Sequence, residues 1–376
     1  MKLLFWIALI GISYSYFLYP LILLLLPKRR NTLPSNQDYI PYISIIITAH
    51  NEENSIQNKI QNTLALDYPR QSLEIIVTSD ASTDRTEQIV HDFKSHGVRL
   101  VCVKERLGKE FAQLQAIKIA DGEILVFSDV ATEIKKDSLK LIAKYFSNPK
   151  IGALSSEDRF VADYGAIVGE GAYVKYEMWL RNLESRIAGL VGLSGSFFAA
   201  RKEVCLDWDI RVPSDFNTAL NCVKLKYVAI NAQGVYGFYA NIKDEKNEYQ
   251  RKLRTVIRGI TALYYQSDVL NPFKYGLFSF QVWSHKIFRW LVPWFMILLL
   301  PVSFMLSGEG LVYILIILAQ VIFYANVIAA GFSQNLRKIV LFRIPYYFIQ
   351  SNMAIAHATI MFLSGKRITT WTPSKR

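Results

Sequence analysis

Ile43-Ser44-Ile45-Ile46-Ile47-Thr48 is the stretch that decides the fold. It is short, almost wholly apolar and rich in β-branched side chains. That pattern predicts a strand buried on both faces, as parallel strands are when helices cover both sides of a sheet. Leu73 to Thr78, Arg99 to Val103 and Ile124 to Phe127 repeat the theme. Helix-compatible segments separate these runs. One extends to about Leu66. Another covers Ser82 to Phe93 and opens on Ser/Thr/Asp capping chemistry. A third covers Lys109 to Ala120, with Gly122 expected at its C-cap. Repeated strand–helix units predict an α/β fold, with a mostly parallel sheet and helices on both faces.

Ligands of such sheets bind beyond the carboxyl ends of the strands. There the chain reads Ala49-His50-Asn51-Glu52-Glu53, then Ser79-Asp80-Ala81-Ser82-Thr83-Asp84, then Ser128-Asp129. Carboxylates follow three strands in a row. Such a cluster repels itself unless something positive joins it, and a divalent metal holding a diphosphate is the natural partner. Taken singly, Asp80 or Asp84 could cap a helix and Asp129 could start a turn. Gly108-Lys109 places a cation and a free helix N-terminus near the same edge. There is no Gly-x-Gly-x-x-Gly after the first strand and no Gly-x-x-x-x-Gly-Lys-Ser/Thr anywhere, which argues against dinucleotide binding and P-loop hydrolysis.

The 376 residues are 52% hydrophobic and 13% aromatic, which excludes a disordered chain. The net charge is +12. Apolar residues gather at the two ends, so the basic groups read as membrane-edge charge and nucleic acid is not an expected partner. Leu3 to Leu26 carries no charge and is long enough to span a bilayer. Pro27-Lys28-Arg29-Arg30 follows it, which places the N-terminus outside and the middle of the chain in the cytosol. Trp290 to Leu306 and Leu311 to Phe332 form an in–out–in hairpin around Ser307-Gly308-Glu309-Gly310. Pro345 to Leu363 contains Gln350, Asn352 and His357 and precedes Lys366, Arg367, Lys375 and Arg376. It is expected to lie in the interface or to re-enter the membrane, with a full fourth span as the alternative. The three cysteines, Cys102, Cys205 and Cys222, have no metal or disulfide spacing and are expected as small core residues.

The motifs from Ile45 to Glu53, Ser79 to Thr86, Gly108-Lys109 and Phe127-Ser128-Asp129, in that order, resemble the family 2 glycosyltransferases. The resemblance continues through Gly195 to Arg201, Ser214-Asp215-Phe216, Arg251 to Arg254 and Ser284 to Trp290, over roughly nine-tenths of the chain. The membrane-bound branch with cellulose synthase and hyaluronan synthase is the most similar architecture. The resemblance implies a GT-A fold plus transmembrane helices, and inverting transfer of a sugar from a UDP-sugar to a polysaccharide or lipid-linked acceptor.

By that resemblance, Ala49, Asn51, Glu53, Asp80, Lys109, Ser128 and Asp129 hold the nucleotide sugar. Asp129 also binds Mg2+ or Mn2+. Asp215 is the general base, Gly195 and Ser196 lie on the acceptor side, and Arg251 and Arg254 clamp the diphosphate. Ala131 replaces the second aspartate of the metal motif, and Ser214 stands where an acid often precedes the base. The implied layout is an N-terminal transmembrane helix over 1–30 and a cytosolic catalytic domain over 38–245. Interfacial helices over 246–285, a transmembrane hairpin over 286–335 and a C-terminal helix and basic tail over 336–376 complete it. A processive synthase that exports its polymer, with or without partner subunits, and a non-catalytic nucleotide-sugar-binding subunit remain alternatives.

Overall fold

The computed structural model describes residues 1–29, 39–161, 172–240 and 245–368. Arg30, Lys375 and Arg376, read above as flanking charges, lie outside the described residues. The chain divides into two compact units. One comprises Leu26–Lys243, Thr261–Ser279 and Ile368–Arg376, and the other Met1–Leu25, Asp244–Ile260 and Phe280–Arg367.

The first unit is built on an eight-stranded sheet: β1 (Ile43–Ala49), β2 (Leu73–Asp80), β3 (Val98–Val103), β4 (Ile124–Asp129), β5 (Glu133–Ile134), β6 (Ile151–Val161), β7 (Phe197–Arg201) and β8 (Val228–Ala240). The order is β3-β2-β1-β4-β7-β6-β8-β5. Strands β3, β2, β1 and β4 run parallel. Strand β7 lies antiparallel between β4 and β6, and β8 then pairs parallel with β6. The sheet is therefore mixed, with a parallel half that carries the predicted strands.

All seven residues of β1 are buried. Ile43, Ile45 and Ile47 pack into the apolar layer with Ile75, Val77 and Val126. Ile46 packs into the opposite layer with Ile76, Leu125 and Phe127. The period-2 alternation of side chains thus feeds two cores, and the strand needs no polar face.

Two sequence expectations change. Gly122 is not a helix C-cap: the helix Lys109–Ile119 ends at Ala120, whose extended backbone (ψ 130°) stops it. Gly122 is instead required by a close approach, because a Cβ there would stand 2.5 Å from both the backbone N and Oγ of Ser44. Cys205 and Cys222 are buried as expected, whereas Cys102 on β3 is exposed.

Among the described residues, three helices are long and apolar enough to cross a membrane, Lys2–Leu25, Leu277–Met305 and Leu311–Phe332. Phe5 meets Tyr313 edge-on at 4.8 Å. Lys2 pairs with Glu309 at 2.6 Å, which brings the N-terminus to the Ser307–Glu309 turn. The segment with the polar residues is a continuous helix, Val340–Leu363. It meets the helix Glu245–Tyr265 through the Tyr249 hydroxyl and His357 Nδ1, 3.2 Å apart.

Candidate functional site

The carboxyl ends of β1 and β2 are laced together by their loops. His50 Nδ1 lies 2.7 Å from the Asp80 carbonyl oxygen. The Asn51 amide donates to Ser82 Oγ at 3.1 Å, and Asn51 Oδ1 accepts from the Thr83 amide at 2.8 Å. The Glu53 amide donates to Asp84 Oδ2 at 3.0 Å, while Glu53 Oε2 accepts from the Arg85 amide at 3.2 Å. Asn51 and Ala81 both adopt φ +52°, left-handed backbone that costs a non-glycine residue about 1–3 kcal/mol. These cross-links hold that strain at the strand ends.

Asp80, buried to 1% exposure, is turned toward the Gly108 loop. Its Oδ1 accepts from the Leu107 amide at 3.1 Å, and its Oδ2 from the Gly108 amide at 3.1 Å. Gly108 serves as N-cap of the helix Lys109–Ile119 at φ +99°, a conformation open to glycine. The first residue of that helix, Lys109, reaches across the sheet edge. Its Nζ donates to Asp129 Oδ1 and, at 2.8 Å, to the Gly195 carbonyl oxygen. The Asp129 amide in turn donates to the Ser196 carbonyl oxygen at 2.9 Å.

Asp215 lies in the first turn of the helix Ser214–Lys224, whose N-cap is Pro213, so Asp215 is not itself the cap. A Cβ on Gly195 would meet Asp215 Oδ2 at 3.5 Å. Asp80, Lys109, Asp129, Gly195, Ser196 and Asp215 are thereby gathered at one edge of the sheet. Ala49 ends β1 beside them. The hydroxyl of Ser128 points inward to a buried lysine, Lys59. Arg251 and Arg254 stand on the helix Glu245–Tyr265, in the part assigned to the other unit.

Two charged groups at this edge are not expected from the sequence. Lys59, on the helix Ile56–Leu64, is 3% exposed. It donates to Ser128 Oγ at 2.7 Å and to the Thr132 carbonyl oxygen at 2.5 Å. Burial lowers its pKa to about 7, against the opposing pull of Asp129 and Glu133. Glu110, also buried, accepts from the Ser214 amide at 3.4 Å and so ties the Lys109 helix to the helix carrying Asp215. Both stand at buried positions of their helices, and the register of apolar neighbours was the signal that could have found them.

For a metal, Asp129 offers one carboxylate and Ala131 none. Among the described residues no three His, Cys, Asp or Glu side chains gather as a cage. An ion shared with a substrate diphosphate needs only one or two protein carboxylates, so these residues fit a shared metal and not a dedicated one.

Residues 44–205 match the family model described as glycosyl transferase family 2. The poly-beta-1,6-N-acetyl-D-glucosamine synthase of Staphylococcus epidermidis is 29% identical over 192 residues, which cover 49% of this chain and 46% of that protein. A synthase of the same name from Staphylococcus aureus (strain MSSA476) is 28% identical over 182 residues, 46% of this chain and 43% of its own. The matches thus span less than half the length of either relative. Among solved structures, the mannosyltransferase PcManGT from Pyrobaculum calidifontis, in complex with GDP-Man and Mn2+, aligns with a TM-score of 0.71 at 22% identity. The alignment covers 97% of this chain and 100% of that one. This likeness establishes the fold, GT-A, as the motif order implied.

Proposed function

Residues 44–205 are a family 2 glycosyltransferase domain, and from that premise we propose that the chain is a membrane enzyme moving a sugar from a UDP-sugar to a polysaccharide or lipid-linked acceptor. The observation that carries this reading is Lys109. One ammonium joins Asp129 to Gly195, and Gly195 lies against Asp215. Donor side and acceptor side are therefore a single residue apart.

The chemistry follows from that spacing. Asp215 accepts the proton of the acceptor hydroxyl while its oxygen bonds to the anomeric carbon. The bond from that carbon to the diphosphate oxygen breaks, and the electron pair leaves with UDP. Attack from the face opposite the leaving group inverts the centre. Lys109 lies where the developing negative charge needs a cation. Asp129 would hold Mg2+ or Mn2+ against the diphosphate, and the ion supplies further charge neutralisation. Asp80 fixes the Gly108 turn from which Lys109 projects. Asn51, Glu53 and the end of β1 at Ala49 border the nucleoside side.

The relatives are synthases of poly-beta-1,6-N-acetyl-D-glucosamine, which supports testing UDP-N-acetylglucosamine first among donors. The basic residues Lys28 and Arg29 after the first apolar helix support a cytosolic catalytic part over 38–245. The Lys2–Glu309 pair supports putting the N-terminus and the hairpin turn on one face, the outer one. A second reading, polymer synthesis with export, draws on the same relatives and is separated by product length.

The test is release of UDP by the full chain in detergent with Mn2+ or Mg2+, across a panel of UDP-sugars with GDP-mannose as comparator. Release that needs an acceptor supports the proposal. No release with any common donor and plausible acceptors overturns it.

A further inference from the structure

The turn that carries Asp129 is held from beneath. The Thr132 amide donates to the Asp129 carbonyl oxygen at 3.1 Å, closing the turn. Lys59 then bridges its two ends, with one bond to Ser128 Oγ and one to the Thr132 carbonyl oxygen. One helical turn further on, Asn62 pairs with the backbone of Ile134 in both directions, each bond at 2.9 Å. The helix Ile56–Leu64 is thus bolted to the whole segment from Ser128 to Ile134.

Packing alone does not call for a lysine here. The position is 3% exposed, and a methionine of similar length would fill it without desolvating an ammonium. Ala131, inside the turn, carries only a methyl group and offers no polar side-chain atom to brace it. What the amino group adds is two directed donors at the ends of the turn that presents Asp129.

We propose that Lys59 is a positioning residue whose buried amino group clamps the Ser128–Thr132 turn, so that Asp129 is held in place to share a divalent metal with the donor diphosphate. The inference rests on the glycosyl-transfer reading of this site. Groups hydrogen-bonded to a metal ligand are worth about 10–100-fold in metal affinity. Lys59 stands one step further out, holding the neighbouring Ser128 and the far end of the turn, so an effect at the low end of that range is expected.

The test uses the full chain in detergent. Titration calorimetry with UDP plus Mn2+ and Mn2+ paramagnetic resonance measure binding, and thermal unfolding without ligand measures stability. Lys59→Met is expected to weaken UDP–Mn2+ binding about tenfold. Lys59→Gln, too short to bridge both acceptors, should do the same and serves if the methionine variant fails to accumulate. Asn62→Ala loosens the far end of the segment and should lower thermal stability while binding stays within about twofold. Lysine variants that bind as tightly as the wild type overturn the proposal. So does a loss of binding that tracks thermal stability equally across the lysine variants and Asn62→Ala. A wild type that binds neither UDP nor GDP with Mn2+ overturns the glycosyl-transfer reading itself, and this inference with it.

Discussion

Asp80 and Gly108 are joined across 28 residues of chain: both carboxylate oxygens of Asp80 accept from the Gly108 amide, at 3.1 and 3.2 Å. The end of β2 thereby sets the start of the helix that carries Lys109. Asparagine at position 80 would leave one oxygen to accept from both the Leu107 and Gly108 amides, and would set an NH2 donor against the Gly108 N–H. Asp80→Asn is expected to cost about 1–3 kcal/mol of stability. It should also weaken UDP binding, since Lys109 loses its fixed starting point. Thermal unfolding and calorimetry on the same preparation check both effects. Unchanged UDP affinity would mean that the latch does not govern the lysine.

Asp215 and Gly195 make the second relationship on which the proposed transfer rests. Asp215→Asn keeps the shape and removes the proposed base. It is expected to lower kcat by about 10²–10⁴-fold, the usual worth of a positioned general base, while the donor KM stays within a few-fold. Gly195→Ala would put a methyl group 3.5 Å from Asp215 Oδ2, an ordinary contact, so the variant should fold. That methyl occupies the ground an acceptor hydroxyl needs, so the acceptor KM should rise more than the donor KM. Initial-rate kinetics with each substrate varied in turn separates the cases.

The buried amine of Lys59 also makes stability depend on pH. Burial brings its pKa to about 7, whereas the unfolded chain has the ordinary value near 10.5. Below pH 7 both states bind the proton, and the folded state bears the full penalty of a buried charge. Between pH 7 and about 10.5 the unfolded state holds more protons, so stability from this group rises with pH. Thermal midpoints of wild type and Lys59→Met should converge or cross in the wild type's favour from pH 7 to 9.5. Parallel curves over that range would show that the amine titrates normally.

The parallel half of the sheet was legible because its strands are continuous apolar runs, and the acids after them stand at the edge where α/β sheets bind ligands. Asp80 and Asp129 end β2 and β4, and Asp215 stands in the first turn of its helix. Lys59 and Glu110 were not legible from charge, since a lone charged residue in a helix is ordinarily solvated. Spacing held the missing information: Ile56, Lys59, Ile60 and Thr63 fall at i, i+3, i+4 and i+7, so Lys59 belongs to the buried face. Strands β6, β7 and β8 were not anticipated in their mixed order, because antiparallel insertion of β7 between β4 and β6 is a long-range choice. Gly122 was misjudged because a glycine past a helix suits a C-cap and a close approach equally, and only the neighbour decides.

That neighbour gives a last expectation, at the opposite end of the strands. Gly122 donates its amide to Ser44 Oγ at 2.8 Å. Ser44 Oγ donates in turn to the buried carboxylate of Glu74, which also accepts from the Asp121 amide at 2.6 Å and from Arg99 Nη1 at 2.7 Å. A Cβ on Gly122 would stand 2.5 Å from the Ser44 backbone nitrogen, which β1 cannot move without breaking its register with β4. Overpacking of this kind costs about 1–3 kcal/mol, and the threatened network adds to it. Gly122→Ala should therefore lower the thermal midpoint clearly. The substitution lies at the amino ends of β1 and β4, away from Asp80, Asp129 and Asp215. Transfer activity per folded molecule should stay within about twofold at a temperature where the variant is folded. A variant with an unchanged midpoint, or one that folds fully yet loses transfer, would contradict the separation of a stabilising strand end from a reacting one.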